Sequence, residues 1–129
     1  MRPKSAKEMD AVLRLDGPIR FEHFIKRVVD EEEAWGLWDA GWALMQTSDR
    51  VSVFPLWPAR EYADLCRTGN WADYEAKEMP LAILLDEFLP KLAQQDARVG
   101  IFPTAAGKGV TMFPRELQDA LRRELEKYA

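Results

Sequence analysis

Two stretches of this chain run a strand-like segment into a proline and then into an amphipathic helix: RVSVFPLWPAREYADL (residues 50–65) and GKGVTMFPRELQDAL (residues 107–121). Proline fixes φ at about −65° and has no amide hydrogen, so it interrupts a ladder but suits the first turn of a helix, where that amide would go unpaired. Pro58 and Pro114 therefore mark two strand-to-helix switches, and Pro18 and Pro80 open two more helices. Each junction follows another β-rich run, so a β-hairpin followed by a helix is expected twice. Whether this is a duplication or two instances of a common junction stays open, and an α+β architecture does not depend on it.

Hydrophobic spacing fills in the elements. Phe21, Phe24, Ile25, Val28 and Val29 fall on one helical face after Pro18. A weaker helix over residues 5–15 ends at Asp16-Gly17, so residues 1–17 read as a helical extension of one globular domain spanning 1–129. The acidic run Asp30-Glu31-Glu32-Glu33 has no turn residue to fold it around a cation and reads as a solvated helix end. Trp35, Trp38 and Trp42 have helical spacing, but Gly36 and the turns Asp39-Ala40-Gly41 and Ser48-Asp49-Arg50 favour a β-meander.

Ala59, Tyr62 and Cys66 share a face of the helix after Pro58, which Gly69 stops. Residues 70–79, NWADYEAKEM, read as a loop carrying Trp71 and Tyr74. After Pro80, a stripe of Leu81, Leu85, Phe88 and Leu92 faces the core, and Pro90 should kink or restart that helix. Residues 99–102 and 110–113 are β-rich around a turn-forming connection. The expected fold is α+β, a small mainly antiparallel sheet of about four to five strands packed with about four to five helices.

Composition bounds the setting. A chain of 129 residues with 47% apolar and 11% aromatic content should bury roughly two-thirds of its unfolded surface without a metal or disulfide. A single Cys66 and a single His23 exclude an internal disulfide, disfavour structural zinc and point to a reducing compartment. The first residues lack a secretory core, and the longest apolar run, residues 81–85, is far short of a membrane span, so a cytoplasmic protein with no membrane association is expected. A net charge of −4 argues against nucleic acid as the partner, and the pairs Lys26-Arg27 and Arg122-Arg123 are too small to reverse it.

Catalytic motifs fail on spacing. Gly107-Lys108 resembles a phosphate-binding loop, but six residues separate Gly100 from Gly107 where four are required, and Gly109 stands where the metal-binding hydroxyl belongs. Those glycines fit a hairpin connection better. His23 lies roughly 160° from the apolar face of its helix and should point to solvent. Cys66 shares the apolar face of its own helix and reads as a core residue with an unactivated thiol. Asp64, Asp73, Glu75 and Glu78 include no ordered ligand set, and no cofactor is expected.

The remaining signal is aromatic. Trp57, flanked by Pro55 and Pro58, and Trp71 with Tyr74 in a loop are hard to bury completely; with Arg60 they can form a partner-binding patch of aromatic and arginine residues. The alternative is a loop pinned to the core by Trp71.

RFEHFIKRVVDEEEAWGLWDAGWAL (residues 20–44), PLWPAREYADLC (55–66), LDEFL (85–89), VGIFP (99–103) and GKGVTMFPREL (107–117) together resemble a bacterial family known as domain of unknown function 2750. The resemblance implies a small cytosolic bacterial α+β protein and brings no catalytic residues. Two functional classes follow from the residues: a non-catalytic protein-interaction module of adaptor or immunity type, or a small-molecule binder or enzyme with a pre-formed pocket. Homo-oligomerisation is compatible with both.

Overall fold

The computed structural model describes residues 6–15, 17–104 and 109–128. Helix α1 (Ala6–Leu13) leads into α2 (Gly17–Glu31), where Phe24, Ile25, Val28 and Val29 are buried as their spacing predicts. Glu32 adopts a left-handed φ of 58° and its carbonyl accepts from the Leu81 amide at 2.9 Å, which turns the chain out of the helix without a glycine. The acidic run is thereby divided. Asp30 and Glu31 close α2, while Glu33 opens strand β1 (Glu33–Trp38) and accepts from the Trp35 indole at 2.9 Å.

Strand β1 pairs antiparallel with β4 (Glu75–Pro80), Glu33 opposite Pro80 and Trp38 opposite Glu75. A second sheet has the order β2 (Met45–Gln46), β3 (Ser52–Leu56), β5 (Arg98–Ile101), β6 (Val110–Met112). In it β3 and β5 are parallel and the outer pairs antiparallel. The fold is α+β. Hairpin β2–β3 precedes helix α3 (Arg60–Leu65), hairpin β5–β6 precedes helix α6 (Pro114–Glu126), and the parallel β3–β5 ladder joins the two units. Trp35 and Trp57 exchange both backbone hydrogen bonds, at 2.9 and 2.8 Å, and stitch the two sheets together.

Two expectations are corrected here. Strand β1 does not continue a meander into β2, and residues 75–80, read as loop, are its partner strand. The sequence EAKEMP has weak strand preference, so pairing with β1 rather than local propensity makes it extended.

Pro55 sits inside β3, a position that needs a gap in the ladder. Val53 faces β2 and Trp57 faces β1, both on the side opposite β5. Pro55 falls between them, where β2 has ended and β1 has not begun.

Residues 81–94 form one rod: α4 (Leu81–Ile83), a π-helical turn (Leu84–Phe88) and α5 (Leu89–Gln94). Pro90 cannot donate to the carbonyl of Asp86, and the wider turn before it absorbs the mismatch, so the proline restarts the helix. Leu81, Leu85 and Leu92 are buried as their spacing predicts, and the extra residue adds Leu84 and Leu89 to the buried face, whereas Phe88 remains half-buried at the surface.

The core brings together Phe24 and Val28 of α2, Leu37 of β1, Leu56 and Trp57 at the end of β3, Tyr62 of α3, Leu84 and Leu89, Ile101 and Phe102, and Leu117 and Leu121 of α6. At the end of the β5–β6 connection Gly109 has a φ of 74°, and a Cβ there would overlap the Ile101 carbonyl. Gly107 and Lys108 lie outside the described residues.

Candidate functional site: an aromatic row

Alternation along β1 sends Trp35 and Leu37 into the core and Gly36 and Trp38 to the opposite face. Beyond β1 the chain reverses at Ala40, whose φ is 58°, and the Ala43 amide returns to the Leu37 carbonyl at 2.8 Å. This reversal lays Trp42 across Gly36. A Cβ on Gly36 would stand 2.9 Å from the indole, so the missing side chain is what admits the ring.

Trp42 is the centre of a row. Its ring meets Trp38 at 5.0 Å with an interplanar angle of 79°, and Phe88 at 6.2 Å and 72°. Phe88 in turn meets Phe54 at 5.8 Å and 89°. These are edge-to-face contacts, in which the positive edge of one ring meets the negative face of the next. All four rings are half-buried, so each keeps an accessible part. Lys77, opposite Gly36 on β4, places its ammonium 4.0 Å from the Trp38 centroid and 5.7 Å from that of Trp42. Beside the row lies a largely apolar hollow of about 320 Å³, lined by Trp42, Met79, Ile83 and Phe88 together with the charged Lys77, Glu78, Glu87 and Lys91. Ile83 projects into it while remaining 40% exposed.

The arrangement offers apolar area, ring faces and side chains of both charges. Among the described residues, no three of His, Cys, Asp or Glu are grouped so as to hold a metal ion.

The residues singled out by sequence are placed differently. Trp57 is fully buried, which corrects the expectation that it is hard to bury completely. Its indole donates to the Pro103 carbonyl at 2.9 Å, and the flanking prolines shape a strand end rather than a surface loop. Trp71 is half-buried and meets Trp57 edge-on at 6.2 Å. Tyr74, also half-buried, closes a turn through its amide to the Trp71 carbonyl at 3.1 Å. Arg60 is exposed and pairs with Asp64 at 3.6 Å. Trp71 thus does pin its segment to the core through Trp57.

His23 does not project into solvent as its helical angle predicts. It is half-buried, with its ring 6.4 Å from that of Phe102, because the chain after β5 covers that side of α2. Cys66 is half-buried with its sulfur 3.5 Å from the Pro103 carbonyl. Burial pushes the thiol pKa up, and the Trp57 indole opposes this to a lesser degree. The thiol therefore stays protonated at neutral pH and is a poor nucleophile. Of the four carboxylates, Asp64 is engaged by Arg60 and by Arg67 at 3.5 Å, and Glu75 and Glu78 belong to β4.

Sequence reasoning missed Trp38, Trp42, Phe54 and Phe88 as a site. Their one local signal is Gly36 six residues before Trp42, a small residue under a large one.

A family model described as "Protein of unknown function (DUF2750)" matches residues 21–121. No curated protein matches the chain, and no solved structure does. No helix among the described residues is long and apolar enough to cross a membrane.

Proposed function

We propose, for a chain that belongs to the DUF2750 family of proteins of unknown function, the role of a non-catalytic protein-interaction module, an adaptor or an immunity-type protein acting in the cytoplasm. The observation that carries this reading is the row Trp38–Trp42–Phe88–Phe54 with Lys77 over it. Partly exposed aromatics with a cation nearby, around a hollow that can take one apolar side chain, have the composition of an interface anchor. The net charge of −4 supports a protein partner over a nucleic acid. Arg60, Trp71 and Tyr74 are assigned a lesser part, since Arg60 is ion-paired and both rings are packed inward.

The test is affinity capture from native lysate with wild type, Ile83→Asp and Trp71→Ala, each shown to be folded by circular dichroism. Ile83 is exposed at the hollow, so an acid there alters the surface without opening the core. The expected result is a stoichiometric partner held by wild type and Trp71→Ala and lost by Ile83→Asp. Retention by wild type and both variants overturns the aromatic row as the surface.

A second reading, binding of a small molecule, is favoured by a separate cavity of about 430 Å³ lined by Asp96, Arg98, Phe113, Arg115, Glu116 and Asp119. In it the Arg98 guanidinium lies 4.0 Å over the Phe113 ring and pairs with Asp96 at 3.1 Å. Thermal stabilisation by a compound from a metabolite set, abolished in Arg98→Ala and Arg115→Ala, is the result this reading requires.

A further inference from the structure

Strand β4 presents a free edge whose charges match a second copy of itself. Trp35 spends both backbone groups on Trp57, and Leu37 accepts from Ala43. These residues therefore turn away from β4, and the β1–β4 ladder runs through Ala34, Gly36 and Trp38 with Met79, Lys77 and Glu75. It follows that the amides and carbonyls of Ala76 and Glu78 point outward, and no hydrogen bond among the described residues uses them. Glu75, Lys77 and Glu78 are exposed beside this edge.

We propose that β4 pairs antiparallel with β4 of a second copy about a two-fold axis at Ala76, making the β1–β4 sheet a continuous four-stranded sheet across the dimer. The register is chosen by charge. An axis at Ala76 sets Glu75 opposite Lys77 of the second copy and Lys77 opposite its Glu75. Both fall at non-hydrogen-bonded pairs, where facing side chains are closest. Moving the axis to Lys77 opposes two lysines, and moving it to Glu75 or Glu78 opposes two glutamates. Only the Ala76 register satisfies every charged pair it creates. In it the two Ala76 residues exchange two backbone bonds, and each Glu78 amide donates to the Tyr74 carbonyl of the other copy. The Tyr74 amide is already bonded to Trp71, and Pro80 has no amide to offer, so the ladder stops at both ends. Charges on an edge repel indiscriminate strands; this sequence of signs excludes others and accepts itself.

The mass in solution tests the proposal, by light scattering and equilibrium sedimentation over a range of concentrations. Wild type is expected at twice the 14.9 kDa chain mass. Glu75→Lys and Lys77→Glu should each weaken the dimer about tenfold or more, since each turns both salt bridges into like-charge pairs. The double variant Glu75→Lys/Lys77→Glu should restore it, and Ala76→Pro should be monomeric, with circular dichroism confirming that each is folded. A monomeric wild type at its highest soluble concentration overturns the proposal. A dimer indifferent to the single reversals, or one not recovered in the double variant, overturns it equally. Partner capture at Ile83 is read separately, so failure of the aromatic-row reading and failure of this dimer are distinguishable.

Discussion

Trp57 carries a fixed task at the junction of the two sheets: its backbone closes on Trp35 and its indole on Pro103. Trp57→Phe keeps the apolar area and removes the N–H, leaving a buried carbonyl with only the Cys66 thiol, a weak donor. The expected loss is about 1–2 kcal/mol in urea unfolding. Cys66 allows a test in pH. Its folded pKa is raised by burial, so the unfolded chain releases this proton first; the stability it contributes is full below about pH 8.5 and is lost as pH rises toward the folded value. The difference in urea midpoint between wild type and Cys66→Ala should therefore be constant at neutral pH and shift against wild type on the alkaline side. A constant difference through pH 10 or so contradicts the burial argument. Sequence places the Cys66 thiol rightly as unactivated, while Trp57 looks hard to bury between two prolines as long as the partner strands that leave room for Pro55 are unknown.

At the scale of elements, prolines and periodicity were sufficient wherever a helix had one apolar face or a proline stood at its start, as in α2 and α6. They failed at β4, where polar residues are held extended by β1, and at the π turn, where a single extra residue rotates Phe88 outward. Helix α6 shows how a start is secured without a polar N-cap. Phe113 has no side-chain acceptor, but its amide donates to the Glu116 carboxylate at 3.0 Å, which is half of a capping box. Glu116→Ala should cost about 0.5–1 kcal/mol through this bond and the helix dipole. Gly109→Ala should cost more than about 1 kcal/mol, since it meets both a left-handed φ and the Ile101 carbonyl. Urea midpoints for the two variants order these costs, and a Gly109→Ala protein as stable as wild type would contradict the geometry.

On the scale of the whole molecule, the aromatic row draws Trp38, Trp42, Phe54 and Phe88 from β1, the turn after it, β3 and the π turn. Periodicity within any one segment cannot assemble them, because their meeting depends on sheet topology and on the phase shift before Pro90. Gly36 is the exception, and its role can be isolated by a double-mutant cycle. In a strand, Gly→Ala alone should stabilise by about 0.5–1 kcal/mol because it restricts the unfolded chain. Here the new methyl meets the Trp42 ring, and overpacking of this kind costs about 1–3 kcal/mol. Gly36→Ala should therefore destabilise wild type and displace Trp42, altering the near-ultraviolet dichroism of the Trp38–Trp42 pair. In a Trp42→Ala background the clash is gone and the same substitution should become neutral or stabilising. The reversal of sign gives a coupling energy that attributes the glycine to the ring above it. Equal effects in both backgrounds would show that Gly36 serves the strand alone, and that the row is held by its other contacts.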